Sequence, residues 1–558
     1  MTESANSANP TAKRLPPYAP AVLAAVIVLA HAAWLFADWG PAYAGADAPG
    51  YFVQARLIST QWTTVLEPES PVRLIGAHWV DGGSGIFTTR YPTGYPLLIA
   101  VLDRLGGPGL ALIINPMLAS IGVALFFLLA ARWTGPWLAL AGTAVFASLA
   151  PFAEQSLLGF SHAATTTGVI AALWALERWR EQPRPGNALI AGLLIGALPT
   201  VRYVQALTVA VFALHTIMFA RSRNQRRTMW MLALAAAVPI TAQLARNATV
   251  FGSPFATAYA LTGESGGFGL FYFRTHLVGY VATLVRNAGP VFIAGAAGML
   301  LLASRAASRD RGLLLLGLTV PVTILYMAFF WPFTDIRFLL PTLPLYVLGA
   351  LMLVERLPTW FVPSAAAVLL VLHAGMFFVD TLPRKERIAR FVDRNVIVRH
   401  EATRLLPDGA VVIAPLGAGI LLEYDMRWKI VDWSLLTDGP AGPMAAGVPQ
   451  PVGPDGERQP SPVQPDKAAE LRAAYAGLEP GERYAAVLDD VAAWADGAPI
   501  YWMGDRAWID DVTARSGRTI RAEPVGTIEA DARITEGEVR WWMPPLPMTV
   551  FRVVFTPD

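Results

Sequence analysis

Repeated apolar runs are the feature that most constrains what this chain can fold into. About eleven stretches are apolar enough, and close to long enough, to cross a bilayer as helices. Only 15% of the residues are charged, whereas soluble domains carry about 25%. The sequence therefore predicts a polytopic α-helical membrane protein with about eleven transmembrane helices. The runs are 20–36, 110–131, 136–152, 160–178, 187–200, 203–220, 229–246, 288–304, 312–331, 337–355 and 360–379.

The placement of arginine predicts the orientation of these spans. Basic clusters at 13–14, 132, 178–184, 221–227, 305–311 and 356 all fall on one side of the membrane if the N-terminus is inside. Residues 1–19 are then a cytoplasmic tail and residues 20–382 the transmembrane domain. Residues 94–104 rise only about 16 Å as a helix, too little to span, and predict a helix at the interface.

The first apolar run has an alternative interpretation. Ala42, Tyr43 and Ala44 follow it and resemble the cleavage site of a signal peptide. We favour an uncleaved anchor because many more spans follow.

Two long outer loops and a C-terminal domain complete the predicted organisation. The loops are 38–93, with a short interfacial helix over 50–60, and 247–287. Residues 383–558 have soluble patterning and predict a small α/β domain on the outer side. Its predicted strands are 410–414, 429–432, 484–488 and 549–555, its predicted helices 386–406, 467–476 and 507–515, and its predicted long loop 438–465.

Composition excludes several classes of function. Cysteine is absent, which removes disulfides, zinc–thiolate sites and thiol nucleophiles. A net charge of +2 does not suggest a nucleic-acid partner. No HExxH, P-loop or GxSxG motif occurs, so zincin, ATPase and typical lipase chemistry have no support.

Five polar residues from separate parts of the chain need an explanation. All fall at outer ends of spans or in the first outer loop, where a charge near hydrocarbon usually pairs or functions. Their common depth predicts one wet, polar cavity that faces outward. They are Asp47, Arg90, His162, Arg202 and Arg337.

Each of these residues has a structural alternative. Asp47 could act as a general base, or it could cap the helix that follows. Arg90 could hold a phosphate as a fork, or lie at the interface with its charge in water. Arg202 and Arg337 could serve as anchors or pair with Asp335. For His162 we favour a structural role, as an interfacial histidine whose hydrogen bonds are satisfied, over a functional one.

Four segments, in this order, resemble the GT-C superfamily of polytopic glycosyltransferases. Within it, the chain is similar to the bacterial branch related to protein O-mannosyltransferases and the lipid A aminoarabinose transferase. The segments are Asp47 with Tyr51 and Ala55-Arg56, RYPTGYPLL at 90–98, RNATVFGSPF at 246–255 and RFLLPTLP at 337–344.

The resemblance implies a reaction and its partners. The donor would be a sugar carried on a polyprenyl phosphate, and the acceptor an extracytoplasmic lipid, glycan or protein. Asp47 would be the catalytic base, with Arg90, Arg202 and Arg337 on the donor phosphate. Transfer would invert the sugar, at the periplasmic face of a bacterial inner membrane. Further candidate site residues are Tyr51, Arg56, Tyr91, His162 and Asn247.

One departure from the family pattern affects the expected chemistry. Many relatives carry Asp-Glu in the first loop, but here Ala48 follows Asp47. A second acid could be Asp81, Glu67 or Glu69, and spacing does not choose among them. Because a lone carboxylate makes a poor metal site, we expect no required metal or other cofactor.

Two rival functions remain open from the sequence. A transporter or flippase of lipid-linked sugars would need similar cations and a similar cavity, but no base. A scaffold whose C-terminal domain recruits a partner is disfavoured by several charges at one membrane depth.

Overall fold

The structure is a computed structural model that describes most of the chain. Described are residues 16–437 and 475–557, apart from 17, 76–77, 84–85, 262–267, 330–333, 476, 532–533 and 535–542. The predicted loop 438–465 and nearly all of the predicted helix 467–476 lie outside these residues.

Helices make up most of the first three quarters of the chain. They are α1 Ala19–Phe36, α2 Ala48–Gln61, α3 Gly94–Ala111, α4 Ile114–Thr134, α5 Pro136–Ala147, α6 Ala150–Leu157, α7 His162–Glu181, α8 Pro185–Val201, α9 Ala206–Phe219, α10 Arg223–Phe251, α11 Ala258–Leu261, α12 Leu270–Ser304, α13 Arg309–Met327, α14 Leu343–Val354, α15 Val362–Met376 and α16 Leu382–Leu405. A 3₁₀ helix, Ile336–Thr342, precedes α14.

Each predicted apolar run overlaps one helix or two consecutive helices of the structure. Among the described residues, seven helical segments are long and apolar enough to cross a membrane, or eight if α5 and α6, bent by 57°, form one span. Pro185–Val201 and Tyr203–Phe219 are shorter apolar helices. The chain is thus polytopic, and the number of eleven spans stays a prediction.

Small residues let the membrane helices approach each other closely. A Cβ atom at Gly298 of α12 would lie 2.0 Å from the carbonyl oxygen of Gly349 on α14. One at Gly196 of α8 would lie 2.1 Å from the carbonyl oxygen of Ala236 on α10. Backbone contact through glycine is a common means of helix association in lipid, where burial of apolar surface provides little drive.

The two segments predicted as interfacial helices are helical, as α2 and α3, and their position at the interface stays a prediction. The sequence predicted α3 over 94–104, but it continues to Ala111 through a kink. Gly107 has φ +76°, a conformation that favours glycine, and Pro108 follows it. This Gly-Gly-Pro sequence explains why the apolar pattern appeared to end earlier.

The C-terminal region is an α/β domain, as predicted. Among the described residues, its strands are β4 Val411–Ala414, β5 Lys429–Asp432, β6 Ile500–Gly504, β7 Arg518–Ile528 and β8 Met548–Pro557, and its helices are α17 Leu416–Glu423, α18 Pro480–Ala495 and α19 Arg506–Ser516. These five strands form one sheet in the order β5-β4-β6-β8-β7, with β4 parallel to β5 and β6, and β8 antiparallel to β6 and β7.

One strand prediction in this domain is wrong, and two strands were missed. Residues 484–488 lie inside α18, whose buried residues Tyr484, Val487, Leu488 and Val491 follow helical spacing. The short run of apolar residues in this segment was mistaken for a strand. The missed strands are β6, which is buried along its whole length, and β7, which is mostly exposed; neither shows a clean alternation.

The first outer loop contains its own small sheet and is fastened to the C-terminal domain. Its strands are β1 Val65–Leu66, β2 Trp79–Gly83 and β3 Ile86–Thr89, in the order β1-β3-β2. Between β1 and β2, the Leu74 amide donates to the Ile430 carbonyl at 2.8 Å, and the Asp432 amide donates to the Val72 carbonyl at 2.9 Å. The loop thus adds a short antiparallel segment to β5, an edge strand.

We expect Leu74→Pro to loosen this attachment. Proline has no amide hydrogen and cannot donate to Ile430, so the neighbouring bond to Val72 loses its support. Loss of about 1 kcal/mol would speed deuterium exchange of the Asp432 amide by roughly five- to tenfold. The control, Leu74→Val, keeps the amide and most of the side chain. Equal exchange in the proline and valine variants would show that the backbone pairing does not hold the loop.

Candidate active site

One cavity collects the charged residues that the sequence singled out. It has a volume of about 370 Å³ and lies where the first outer loop meets the ends of several membrane helices. Asp47, Arg90, Arg202 and Arg337 all line it. These residues are separated by up to 290 positions in sequence, so the fold brings them together. The remaining lining residues are mainly aromatic and aliphatic: Tyr51, Tyr91, Pro92, Val201, Tyr203, Val204, Thr257, Tyr259, Phe268, Leu325, Tyr326, Phe329 and Phe338.

Asp47 stands at the position before the first turn of α2, but it does not cap that helix with its side chain. Among the described residues, its carboxylate has no hydrogen-bond or ion-pair partner. Burial alone would raise its pKa, but the charges of Arg337, Arg90 and Arg202 together hold the pKa below its usual range. Asp47 is therefore an ionised carboxylate that faces the cavity.

Arg202 follows the last residue of α8 and carries a positive charge into the cavity. Its Nη1 atom lies 3.3 Å from Ser161 Oγ and 3.2 Å from His162 Nε2, and its Nη2 atom lies 3.4 Å from the Tyr326 hydroxyl. All three partners are uncharged or weakly basic groups. Within the described part of the chain, Arg202 has no carboxylate in ion-pair contact. Its charge is thus available to an anionic ligand.

His162 therefore has a supporting position. It is buried at the start of α7, with its Nε2 atom at the Arg202 guanidinium. Because a guanidinium only donates, Nε2 must accept, which requires a neutral ring with the proton on Nδ1. His162 orients Arg202 and does not line the cavity.

Arg337 lies in the 3₁₀ helix that precedes α14. Its Nε atom is 2.9 Å from an Asp335 oxygen, so the alternative of mutual pairing is realised. The guanidinium also lies over the rings of Phe160 and Phe338, at 5.2 and 5.1 Å from their centroids. Arg337 nevertheless lines the cavity, and its charge lowers the pKa of Asp47.

Arg90 and two tyrosines form the wall beside Asp47. Arg90 Nη2 lies 3.5 Å from the Tyr91 hydroxyl, and the Tyr91 ring stacks on the Tyr51 ring with centroids 4.1 Å apart. The Tyr51 hydroxyl is 2.9 Å from Ser161 Oγ, which also contacts Arg202. The predicted residues Tyr51 and Tyr91 thus connect two of the cationic groups.

His78 belongs to the site but was not found from the sequence. Its Nδ1 atom lies 3.1 Å from the Tyr91 hydroxyl, and its Nε2 atom contacts the carbonyl of Ala46. Burial, aided by the charge of Arg90, lowers its pKa to about 4, so the ring is neutral. Nε2 then donates to Ala46 and Nδ1 accepts from Tyr91. His78 joins the segment before Asp47 to the segment after Arg90, a role that a lone loop histidine does not reveal in sequence.

Two candidate residues from the sequence motifs lie away from the cavity. Arg56 Nη1 is 2.9 and 2.8 Å from the two carboxylate oxygens of Asp103, a contact that joins α2 to α3. Asn247 accepts from the Tyr203 hydroxyl at 3.2 Å and from Gln243 Nε2 at 2.9 Å, behind the cavity wall. Both positions support neighbouring elements.

Two of the three candidate second acids lie away from this cavity. Glu67 and Glu69 line a different cavity, and the side chain of Asp81, on β2, lies outside the described residues. Among the described residues that line the site, Asp47 is the one carboxylate. A group of three metal-binding side chains is not found in the described ranges.

Comparison with known proteins identifies the fold. No protein-family model matches the sequence, and no curated protein matches it. The crystal structure of ArnT from Cupriavidus metallidurans bound to undecaprenyl phosphate is similar over 96% of this chain and 98% of that chain, with a TM-score of 0.57 and 13% identity. The same protein in the apo state is similar over 95% and 97%, with a TM-score of 0.55 and 13% identity.

A looser similarity is to the archaeal oligosaccharyltransferase AglB from Archaeoglobus fulgidus. It covers 87% of this chain and 69% of that chain, with a TM-score of 0.46 and 13% identity. The assignment of the fold rests on the ArnT structures. The chain therefore has the same overall fold as these ArnT structures.

Proposed function

We propose that this protein is a membrane glycosyltransferase that moves a sugar from a polyprenyl-phosphate donor to an extracytoplasmic acceptor. The observation that carries the proposal is the cavity in which three arginines surround one ionised carboxylate. The ArnT fold supports it, since one of the similar ArnT structures holds undecaprenyl phosphate. A lipid, a glycan or a protein could supply the accepting group.

The cavity offers separate surfaces for the two parts of such a donor. Arg202, Arg90 and Arg337 would hold the phosphate, because guanidinium groups match phosphate oxygens in charge and geometry. Arg202 would contribute most to phosphate binding, because no described carboxylate neutralises its charge. The polyprenyl chain would lie along the apolar wall, which Phe268, Leu325, Phe329 and Phe338 form.

Asp47 would act as the base in the transfer. It would take the proton of the acceptor hydroxyl while the hydroxyl oxygen forms a bond to the anomeric carbon of the sugar. The bond between that carbon and the phosphate oxygen would break, and the lipid phosphate would leave with the electron pair. The arginines would stabilise the charge that develops on it. Attack from the side opposite the phosphate would invert the anomeric centre.

Donor turnover in the Asp47→Asn variant tests this function. We expect purified wild type to consume a polyprenyl-phosphate sugar in the presence of cell-envelope extract as a source of acceptor. Asp47→Asn keeps the size of the side chain but cannot take a proton, so turnover should fall by about 10²- to 10⁴-fold. Mass spectrometry of the donor pool measures turnover. Because no metal is expected to be required, addition of EDTA should leave wild-type turnover unchanged.

The matched control is Asp408→Asn, at an exposed aspartate that pairs with Arg427 in the C-terminal domain. It should keep wild-type turnover. A transporter of lipid-linked sugars needs the cations but no base. Equal turnover in wild type and Asp47→Asn would therefore rule out Asp47 as the base. Translocation of the donor across the membrane without its consumption would contradict the enzyme proposal and support a transporter.

The proposal also places the site on the periplasmic face, and the absence of native cysteine makes this simple to test. Thr403→Cys, near the end of α16, should react with a membrane-impermeant maleimide in spheroplasts. Asn224→Cys, in the basic cluster at the start of α10, should react only after lysis. Both side chains are exposed. Labelling in the reverse pattern would overturn the orientation.

A further inference from the structure

A second cavity lies between the first outer loop and the C-terminal domain. Its volume is about 570 Å³, and it shares no lining residue with the Asp47 cavity. One wall is the loop segment between Gln61 and Leu74, and the other is the end of α17, strand β5 and Trp494. The cavity therefore lies beside the backbone pairing that fastens the loop to β5.

Glu423 is a buried carboxylate on the wall of this cavity. It is the last residue of α17 and is only 6% exposed. Neither carboxylate oxygen has a hydrogen-bond partner among the described residues. Burial raises the pKa of Glu423 to about 7, against the opposing charge of Arg73 and with the support of Asp432. Buried polar groups in proteins are nearly always satisfied, so a carboxylate in this position requires a donor that the described chain does not supply.

The charges around the cavity restrict the ligand that could supply this donor. Glu67, Glu69 and Glu423 line the cavity together with Arg73, Arg427 and Lys429, so the acids and bases balance. An anionic ligand would meet the three carboxylates. A cationic ligand that approached Glu423 would be repelled by Arg73, whose charge already interacts with the Glu423 carboxylate. A neutral ligand with several hydroxyl groups avoids both costs, since hydroxyls donate to carboxylates and accept from cations.

Size and apolar surface point to the same class of ligand. Trp428 and Trp494 line the cavity beside the charged groups. The volume falls within the range of about 300–1,000 Å³ that is usual for small-molecule sites. A sugar residue presents hydroxyl groups at its rim and apolar C–H faces, which suits a cavity of this composition.

We propose that this cavity is a second binding site, specific for a neutral carbohydrate. The occupant donates hydroxyl hydrogen bonds to Glu423 and Glu67 and contacts the two tryptophans. Because one wall belongs to the loop that carries Asp47 and Arg90, a bound sugar also braces that loop. The site does not depend on the proposed transfer reaction, since binding and turnover involve different residues.

Direct binding of neutral trisaccharides tests the proposal. Full-length protein is purified in a polyoxyethylene detergent, which has no sugar head group. Saturation-transfer NMR then follows maltotriose, cellotriose and mannotriose. We expect saturable binding of at least one of them, and at least tenfold weaker binding of the charged sugars glucosamine and glucuronate. An affinity that rises from monosaccharide to trisaccharide identifies a glycan chain as the natural occupant, and equal affinity identifies a free saccharide.

Two variants locate the binding. Glu423→Leu should abolish it, and should also raise the thermal unfolding midpoint without sugar at pH 8, because it removes a buried charge that lacks a partner. Glu67→Gln, at an exposed position on the rim, should weaken binding several-fold without affecting folding. The control is Glu482→Gln, at an exposed position on α18 outside the cavity.

Three results would overturn the proposal. These are no saturable binding of any neutral trisaccharide, unchanged binding in both Glu423→Leu and Glu67→Gln, and tighter binding of glucosamine or glucuronate than of the neutral sugars. None of them would affect the transfer proposal, because sugar binding is measured without donor turnover.

Discussion

Concentrated positive charge beside the Asp47 carboxylate is the physical constraint on which the candidate site depends. Arg90, Arg202 and Arg337 reach one cavity from three separate elements, and near hydrocarbon their mutual repulsion is weakly screened. The charge of Asp47 offsets part of that positive charge. Asp335 offsets a further part, because it forms an ion pair with Arg337. Arg202 is held instead by neutral groups, Ser161, His162 and Tyr326. Arg202 therefore keeps a positive charge that a phosphate ligand would neutralise.

The surrounding structure keeps these groups in place. His78 and Tyr91 connect the backbone before Asp47 to Arg90, and the Arg56–Asp103 pair fixes α2 against α3. Farther from the site, the same loop pairs with the edge of the C-terminal sheet through Val72 and Leu74. The C-terminal domain thus helps to hold the loop that carries Asp47, and the second cavity lies at their junction.

The sequence was informative where a single physical rule dominates. Hydropathy located the apolar helices, and the high energy of charges near hydrocarbon pointed to Asp47, Arg90, Arg202 and Arg337, which do share one cavity. Motif membership was less informative. Arg56 and Asn247 stand in segments that resemble the family motifs but do not line the cavity, because short motifs do not say which way a side chain points.

What the sequence could not supply was tertiary contact. His78 joins the site through a carbonyl 32 residues away, and Glu423 lies in the second cavity because a loop far earlier in the chain covers it. Strand β6, buried along its whole length, and helix α18 share similar short apolar runs, which led to the wrong strand at 484–488. Neither periodicity nor spacing encodes these relations.

The affinity of the purified protein for undecaprenyl phosphate tests the central claim most directly. The account predicts saturable binding that Arg202→Met weakens at least tenfold, while Arg404→Met, at an exposed arginine outside the cavity, leaves it unchanged. Asp47→Asn should bind the lipid phosphate at least as tightly as wild type, because it removes a negative charge from the site. Unchanged affinity in Arg202→Met, or a loss in Asp47→Asn, would contradict a phosphate site that the arginines form around Asp47.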